Sequence, residues 1–121
     1  MRTTVHFLLL FISFISNLQA QTPVTPEYHL LIGTYSSDGN PNGIHVYRFN
    51  TQSGEFNETQ PVTELSNASY LAISMDRKNV YAVSEGNGGG SVNAYTFNPV
   101  SGALSFMNTV PSLGPCYVSV D

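Results

Sequence analysis

The sequence contains one cysteine and few charged residues, and each of these shortages argues against a class of protein. Of its 121 residues 10% are charged, with four lysines and arginines against eight aspartates and glutamates. A nucleic-acid-binding protein would carry a basic patch or stripe, so we expect no nucleic-acid partner. Because Cys116 is alone, the chain can form no internal disulfide and holds no metal-binding cysteine pair. We expect neither a metal nor a cofactor.

The one long apolar run lies at the N-terminus and indicates a targeting segment. Within residues 1–20, Arg2 and His6 come before or at the edge of an almost wholly apolar stretch, and Ala20 closes the segment. This order is typical of a secretory signal peptide, and the apolar stretch is shorter than the ~20 residues that cross a membrane. An uncleaved anchor is the alternative. We expect cleavage, export to the periplasm or the extracellular medium, and no membrane attachment afterwards.

The rest of the chain is a succession of short strand patterns separated by turns. Residues 68–98 hold three of them, in which side chains alternate between two faces or β-branched and aromatic residues dominate. A glycine-rich stretch at 86–90 separates the second from the third. Together these patterns predict an all-β protein, with further strands at 29–34, 43–50, 55–62, 104–110 and 117–121.

Two of these segments repeat each other at an offset of 48 residues. Residues 92–104 repeat residues 44–56, and aromatic side chains two apart mark one face of a strand in each. An asparagine followed by Ser-Gly then marks the turn. A unit of four short strands with a period of about 40 to 50 residues is typical of a β-propeller blade, with chance similarity between hairpins as the alternative. The identical pairs are Tyr47/Tyr95, Phe49/Phe97, Asn50/Asn98, Ser53/Ser101 and Gly54/Gly102.

The strand patterns divide the chain into parts of blades. We predict a leader at 21–27, a partial blade at 28–65, a full blade of four-stranded antiparallel sheet at 66–112 and the start of another at 113–121. Repeat folds need about three or more units to build a continuous core. We therefore expect this chain to be the front of a longer propeller, which would be a monomer.

Alternating strand directions place four longer loops at one end of the blades. These loops are predicted at 35–42, 61–69, 85–90 and 110–116, and they are rich in glycine, asparagine, serine and proline. Binding and catalytic residues are common on loops that a rigid sheet holds in place. Any functional site is therefore expected at this end, which we call the loop end.

Five residues at the loop end are candidates for a site. Glu85 is the candidate catalytic residue, because its carboxylate can act as a base or bind a hydroxyl where a strand meets a glycine-rich loop; a solvated loop acid is the alternative. The candidate substrate-binding residues are Tyr35, Asn67, Tyr70 and Tyr117, which lie at the loops or at the start of innermost strands. Ordinary turn and packing roles are the alternatives for Asn67, Tyr70 and Tyr117.

Two other features are weaker candidates. His29 and His45 lie within strand patterns and are interpreted as structural histidines rather than ligands. Backbone N–H groups of residues 86–90 can cradle a phosphate, but the stretch lacks the lysine and the helix of a P-loop. The sequence also contains no G-x-S-x-G nucleophile elbow and no H-E-x-x-H zinc motif.

Several separate motifs occur in the order seen in the seven-bladed propeller lactonase family, which the chain therefore resembles. They lie at residues 31–35, 43–47, 67–73, 80–85 and 114–121 and extend over nearly all of the chain after the signal peptide. The family includes propeller-type 6-phosphogluconolactonases and fungal carboxy-muconate lactonizing enzymes. The resemblance implies a protein of seven blades, of which this chain would be about the first two. The family pattern often has histidine where this chain has Tyr117.

The resemblance also implies an activity, hydrolysis of a small-molecule sugar lactone of the 6-phosphogluconolactonase type in carbohydrate metabolism. Water would attack the ring carbonyl, a base would accept its proton and donors would stabilise the oxyanion, with Glu85 contributing from this chain. Phosphorylated gluconolactone is expected in the cytosol, whereas this chain is expected to be exported, so an unphosphorylated lactone is a second possibility. The alternatives are a non-catalytic propeller that binds a carbohydrate or protein partner, and a muconate-type cycloisomerase.

Overall fold

Two antiparallel sheets form the part of the chain that the structure, a computed structural model, describes: residues 26–35, 43–59, 62, 64–86 and 88–121. Each strand pairs with the next strand along the chain, so both sheets are simple meanders. The first sheet contains β1 (Glu27–Gly33), β2 (Ile44–Asn50) and β3 (Phe56–Glu58). The second contains β4 (Ala68–Ile73), β5 (Asn79–Gly86), β6 (Gly89–Phe97) and β7 (Leu104–Ser112).

The repeat at an offset of 48 appears as matching structure at the turns after β2 and β6. The Asn50 side-chain oxygen accepts hydrogen bonds from two backbone N–H groups in its turn, at 2.9 and 3.0 Å. The Asn98 side chain does the same at 2.9 and 3.1 Å. Each turn ends in a glycine with a φ of 78°, Gly54 and Gly102. The repeated asparagine and glycine therefore build the same turn twice.

The second sheet has one strand more than the first. β2 and β6 are equivalent by the repeat, β3 and β7 follow them, and β1 pairs with β2 as β5 pairs with β6. Among the described residues the first sheet has no counterpart of β4. This strand is the first of its sheet, and its beginning lies beside the end of β1, where Ala68 N–H donates to the Thr34 carbonyl at 3.0 Å.

The hydrophobic core lies between the two sheets. Alternation along β2 turns Ile44 and Val46 inward, where both side chains are fully buried, and β5 contributes Val80 and Ala82 from the other sheet. Tyr95 of β6 fills the same cluster. Burial of these side chains on facing sheets holds the two blades together.

The strands differ from the predicted ones mainly at their ends. β1 begins at Glu27, within the predicted leader, and β3 covers only Phe56–Glu58 instead of 55–62, with a single further bridge between Val62 and Ile44. β7 continues to Ser112, beyond the predicted 104–110. The strand predicted at 117–121 is absent, because no described segment pairs with it.

The predicted loop at 85–90 is the largest correction. β5 and β6 stay paired as far as Glu85 with Gly90 and Gly86 with Gly89. Only positions 87 and 88 remain between the strands, and position 87 lies outside the described residues. Glu85 therefore lies in a paired strand next to the turn of a hairpin, rather than in the predicted loop.

The targeting segment and part of one predicted loop cannot be placed in this fold. The predicted signal peptide at 1–20, most of the leader at 21–27 and most of the loop at 35–42 lie outside the described residues. Among the residues that are described, no helix is long and apolar enough to cross a membrane.

The equivalent glycines of the two repeated turns give a matched pair of variants. A Cβ at Gly102 would lie 2.7 Å from His29 Nδ1, whereas one at Gly54 would meet nothing within 4 Å. Alanine at a positive φ costs roughly 1–2 kcal/mol at either position. We expect Gly102→Ala to cost about 1 to 3 kcal/mol more than Gly54→Ala, because the His29 ring must also move. Urea unfolding of both variants measures the difference, and equal losses would show that the contact does not matter.

Candidate functional site

The loop end brings together the ends of three strands. β1 ends two residues before Tyr35, β4 begins directly after Asn67, and Glu85 is the second-last residue of β5. The Ala68 N–H bond to the Thr34 carbonyl joins the first two of these ends. Three candidate residues that are widely separated in the sequence are therefore neighbours at one end of the sheets.

Gly33 makes this junction between the sheets possible. A Cβ at this position would lie 2.3 Å from the Ala68 carbonyl oxygen, a distance that real Cβ atoms do not tolerate. Only glycine lets the backbones of β1 and β4 approach so closely. The glycine thereby sets the distance between Tyr35 on one sheet and Asn67 on the other.

Asn67 fixes the backbone of Glu85 from both sides. The Glu85 N–H donates to the Asn67 carbonyl at 3.1 Å, and the Asn67 side-chain amide donates to the Glu85 carbonyl at 2.9 Å. Asn67 has a φ of 50°, in the left-handed region that asparagine tolerates better than most residues. Asn67 was predicted at the start of an innermost strand. From that position its backbone carbonyl and its side-chain amide both hold the Glu85 backbone.

Tyr35 holds the Glu85 side chain. Its phenol O–H donates a hydrogen bond to Glu85 Oε1 at 3.0 Å. This bond links the end of the first sheet, where Tyr35 follows β1, to Glu85 in the second sheet. The hydrogen bond to the carboxylate raises the pKa of Tyr35 above its usual value, and desolvation and the negative charge of Glu85 act in the same direction. The phenol therefore remains a proton donor to the carboxylate well above neutral pH.

Tyr70 and Tyr117 form an exposed aromatic pair. Their ring centroids are 4.7 Å apart with an interplanar angle of 56°, and the two residues are 39% and 63% exposed. Tyr70 lies opposite Val83, which is two residues before Glu85, so Tyr70 and Glu85 are on the same face of the second sheet. Exposed rings on the same face of a sheet as a carboxylate can hold the apolar face of a sugar ring while the carboxylate accepts hydrogen bonds from its hydroxyls.

The segment that carries Tyr117 is packed against the second sheet. A Cβ at Gly90 would lie 2.8 Å from Pro115 Cδ, so the chain crosses β6 in close contact at this point. The Cys116 thiol is exposed and donates to the Gly114 carbonyl at 3.6 Å. Because Pro115 packs against β6, Tyr117 two residues later lies in contact with the ring of Tyr70.

The two strand histidines lie at structural contacts. The His29 Nε2 atom is 3.1 Å from the Pro99 carbonyl, and its ring meets Phe97 edge-on at a centroid distance of 5.6 Å. The His45 Nδ1 atom is 2.6 Å from Glu58 Oε1, and its ring stacks on Tyr47. These contacts agree with the interpretation of both as structural histidines.

All five candidate residues fall in this one region, but two of the contacts were not predicted. The hydrogen bond between Tyr35 and Glu85 joins residues 50 positions apart, and the two hydrogen bonds between Asn67 and Glu85 join residues 18 positions apart. Neither follows from local patterns, because both depend on how the sheets meet. Among the described residues, no group of three His, Cys, Asp or Glu side chains is arranged to hold a metal ion.

The two meanders with a core between them and a shared loop end define blades of a β-propeller. A family model described as "Lactonase, 7-bladed beta-propeller" matches residues 29–121. The chain belongs to this lactonase family, and the membership predicted from its motifs is confirmed.

Known relatives are similar over most of this chain. The 6-phosphogluconolactonase of Bacillus subtilis (strain 168) is 32% identical over 97 residues, which cover 78% of this chain and 28% of that protein. A crystal structure from Bacteroides fragilis NCTC 9343 has a TM-score of 0.73 at 34% identity, covering 83% of this chain and 28% of that chain. The periplasmic gluconolactonase of Pseudomonas aeruginosa has a TM-score of 0.68 at 32% identity, covering 78% and 28%. The chain thus spans just over a quarter of their length.

Proposed function

We propose that the complete protein, in which this chain forms the first two blades, is an exported monomeric hydrolase that opens a sugar lactone. The similarity to a 6-phosphogluconolactonase and to a periplasmic gluconolactonase supports this class of reaction. The blades that complete the ring would supply the remaining groups of the site. Glu85, Asn67, Tyr70 and Tyr117 would form the part contributed by this chain.

The reaction is the addition of one water molecule to a cyclic ester. The water oxygen attacks the ring carbonyl carbon while a carboxylate oxygen of Glu85 accepts a proton from that water. The tetrahedral intermediate then breaks the bond between the carbonyl carbon and the ring oxygen. The ring oxygen takes up the proton that Glu85 accepted from water and becomes a hydroxyl, so the products are the open-chain sugar acid and the free carboxylate of Glu85. Hydrogen-bond donors at the oxyanion lower the barrier to the first step.

The observation that carries this proposal is the way in which Glu85 is held. Its backbone is fixed by two hydrogen bonds to Asn67, and its Oε1 atom by the phenol of Tyr35. Within the described part of the chain, the structure gives Oε2 no hydrogen-bond partner. One oxygen of the carboxylate is therefore available to water or to a substrate hydroxyl while the other is held by Tyr35.

The predicted export and the charge of Glu85 favour an unphosphorylated lactone over a phosphorylated one. A secretory signal would place the protein outside the cytosol, in the compartment of the similar Pseudomonas aeruginosa periplasmic gluconolactonase. A carboxylate accepts hydrogen bonds from hydroxyl groups and repels a phosphate. Gluconolactone and its 6-phosphate are therefore the two substrates to compare.

Replacement of Glu85 by glutamine tests the proposed function. We expect the complete protein to hydrolyse gluconolactone and Glu85→Gln to lower kcat by about 100-fold, as loss of a general base typically does. Glu55→Gln is the matched control, since Glu55 is an exposed acid in the turn after β2, at the opposite end. Initial rates are measured by proton release and corrected for spontaneous hydrolysis. An unchanged kcat in Glu85→Gln would remove Glu85 from the mechanism.

Carbohydrate binding without catalysis is the second candidate function. The exposed Tyr70–Tyr117 pair favours it, because aromatic faces bind sugars whether or not a reaction follows. A wild-type protein that binds gluconate or a neutral sugar in calorimetry, but does not hydrolyse the lactone above the spontaneous rate, would replace the enzyme proposal with this one.

A further inference from the structure

The hydrogen bond between Tyr35 and Glu85 points to a role for Tyr35 other than contact with the substrate. We infer that Tyr35 is a positioning residue, which holds the Glu85 carboxylate in the orientation that the reaction needs. The inference rests on the proposed function, because it gives Glu85 the role of base. It differs from the prediction that Tyr35 binds substrate.

Tyr35 and Glu85 belong to a closed circuit of hydrogen bonds. The circuit runs from Thr34 to Ala68 by a backbone bond of 3.0 Å, along the chain to Asn67, and from Asn67 to Glu85 by the two bonds described above. Tyr35, which directly follows Thr34, then closes the circuit, because its phenol donates a hydrogen bond to Glu85 Oε1 at 3.0 Å. A closed circuit fixes its members relative to one another better than any single bond, because no one contact can shift alone.

Among the contacts of the described residues, the Tyr35 bond is the one that acts on the Glu85 side chain itself. The bonds to Asn67 fix the backbone, but a glutamate side chain has three rotatable bonds and considerable rotamer freedom. The phenol anchors Oε1 and leaves Oε2 as the oxygen that can accept a proton from water. Because a base must lie within hydrogen-bond reach of the attacking water, loss of this anchor is expected to slow the reaction without removing the base.

Replacement of Tyr35 by phenylalanine in the complete protein separates positioning from substrate binding. We expect kcat for gluconolactone to fall about tenfold with KM changed less than about twofold, since a misplaced base weakens proton transfer in the transition state but does not alter the contacts that bind the substrate. A raised KM with unchanged kcat would instead assign Tyr35 to substrate binding and overturn the inference. Tyr28→Phe is the matched control, because Tyr28 is exposed on β1 near the opposite end of the first sheet.

The double variant tests whether the two residues act as a unit. In a Glu85→Gln background, Tyr35→Phe is expected to cause no further loss of kcat, because there is no longer a carboxylate to position. Full additivity of the two losses would show that Tyr35 acts independently and would contradict the inference. If Glu85→Gln alone leaves kcat unchanged, the proposed function of Glu85 fails, and the inference fails with it.

A titration of tyrosine gives a readout that does not depend on activity. The Glu85 carboxylate raises the pKa of Tyr35, so replacing it by neutral glutamine is expected to lower that pKa and shift one tyrosine to a lower pH. Tyrosinate absorbance of the wild type and of Glu85→Gln, each compared with its Tyr35→Phe counterpart, identifies the shifted residue. If Tyr35 titrates at the same pH in both, the bond does not form in solution and Tyr35 cannot position Glu85, even where kcat responds to Glu85→Gln.

Discussion

Gly33→Ala is expected to destabilise the protein by about 3 to 5 kcal/mol, which is at the upper end of what single substitutions cause. The added Cβ would lie 2.3 Å from the Ala68 carbonyl oxygen and 3.3 Å from its carbonyl carbon. Both are backbone atoms at the start of β4, so they cannot turn aside as a flexible side chain would. The two sheets must separate at the loop end, and the bond from Ala68 N–H to Thr34 is lost.

Gly89→Ala is the matched control for Gly33→Ala. Gly89 also lies in a strand, but the nearest atom to its added Cβ is the Ser112 carbonyl oxygen at 3.9 Å, an ordinary contact. Alanine there is expected to be neutral or to stabilise by up to about 1 kcal/mol, because it restricts the unfolded chain. Equilibrium urea unfolding compares the two variants. Equal stabilities would mean that β1 and β4 do not approach as closely as the structure shows.

The same substitution should also affect the candidate site. Tyr35 lies two residues after Gly33, and Asn67 directly precedes Ala68, so moving the two strands apart also moves Tyr35 away from Glu85. The pKa of Tyr35 is then expected to fall towards its usual value in the fraction that remains folded. A raised pKa that persists in Gly33→Ala would show that the junction does not set the site.

Ile44→Ala is expected to cost about 2 to 5 kcal/mol, as removal of a large aliphatic side chain from a packed core does. Ile44 begins β2 with no exposed surface and packs in the cluster that joins the two sheets. Three carbon atoms are removed, and neighbours on two rigid sheets can collapse only partly into the space. Thermal and urea unfolding measure the loss.

A graded series distinguishes the loss of packing from other effects at Ile44. Ile44→Val removes a single carbon atom and is expected to cost about 0.5 to 1.5 kcal/mol. Val100→Ala is the surface control, because Val100 is 82% exposed at the tip of the turn after β6, and its loss should stay within about 0.5 kcal/mol. A loss at Ile44→Ala no greater than at Val100→Ala would show that the core is not centred on β2.

The first two strands of the full blade and its turns were predictable because their patterns are local. Alternation along residues 70–75 and 80–84 depends only on which face of the sheet is buried, and β4 and β5 include most of these residues. The Asn50 and Asn98 turns were predictable for the same reason, since each asparagine side-chain oxygen accepts hydrogen bonds from backbone N–H groups two and three residues later in the sequence.

Strand ends were less predictable, because pairing with a neighbour decides them. Glycine-rich residues 86–90 have little preference of their own, and β5 continues to Gly86 while β6 begins at Gly89 because each strand supplies hydrogen bonds to the other. Residues 117–121 have a strand-like composition but no described partner, and they form no strand. Glu85 was for this reason placed in a loop by its sequence and in a strand by the structure.

The sequence by itself determined the class of the fold, the repeated turns and the family, and it predicted the five residues of the candidate site. Each of these depends on residue types at short spacing, or on motifs in a fixed order along the chain. Only the tertiary structure decided that Tyr35 meets the Glu85 carboxylate and that Gly33 lies against Ala68. Those contacts join residues 35 to 50 positions apart on different sheets. They form because burial of Ile44, Val46, Val80 and Tyr95 brings the two sheets together, which no local pattern specifies.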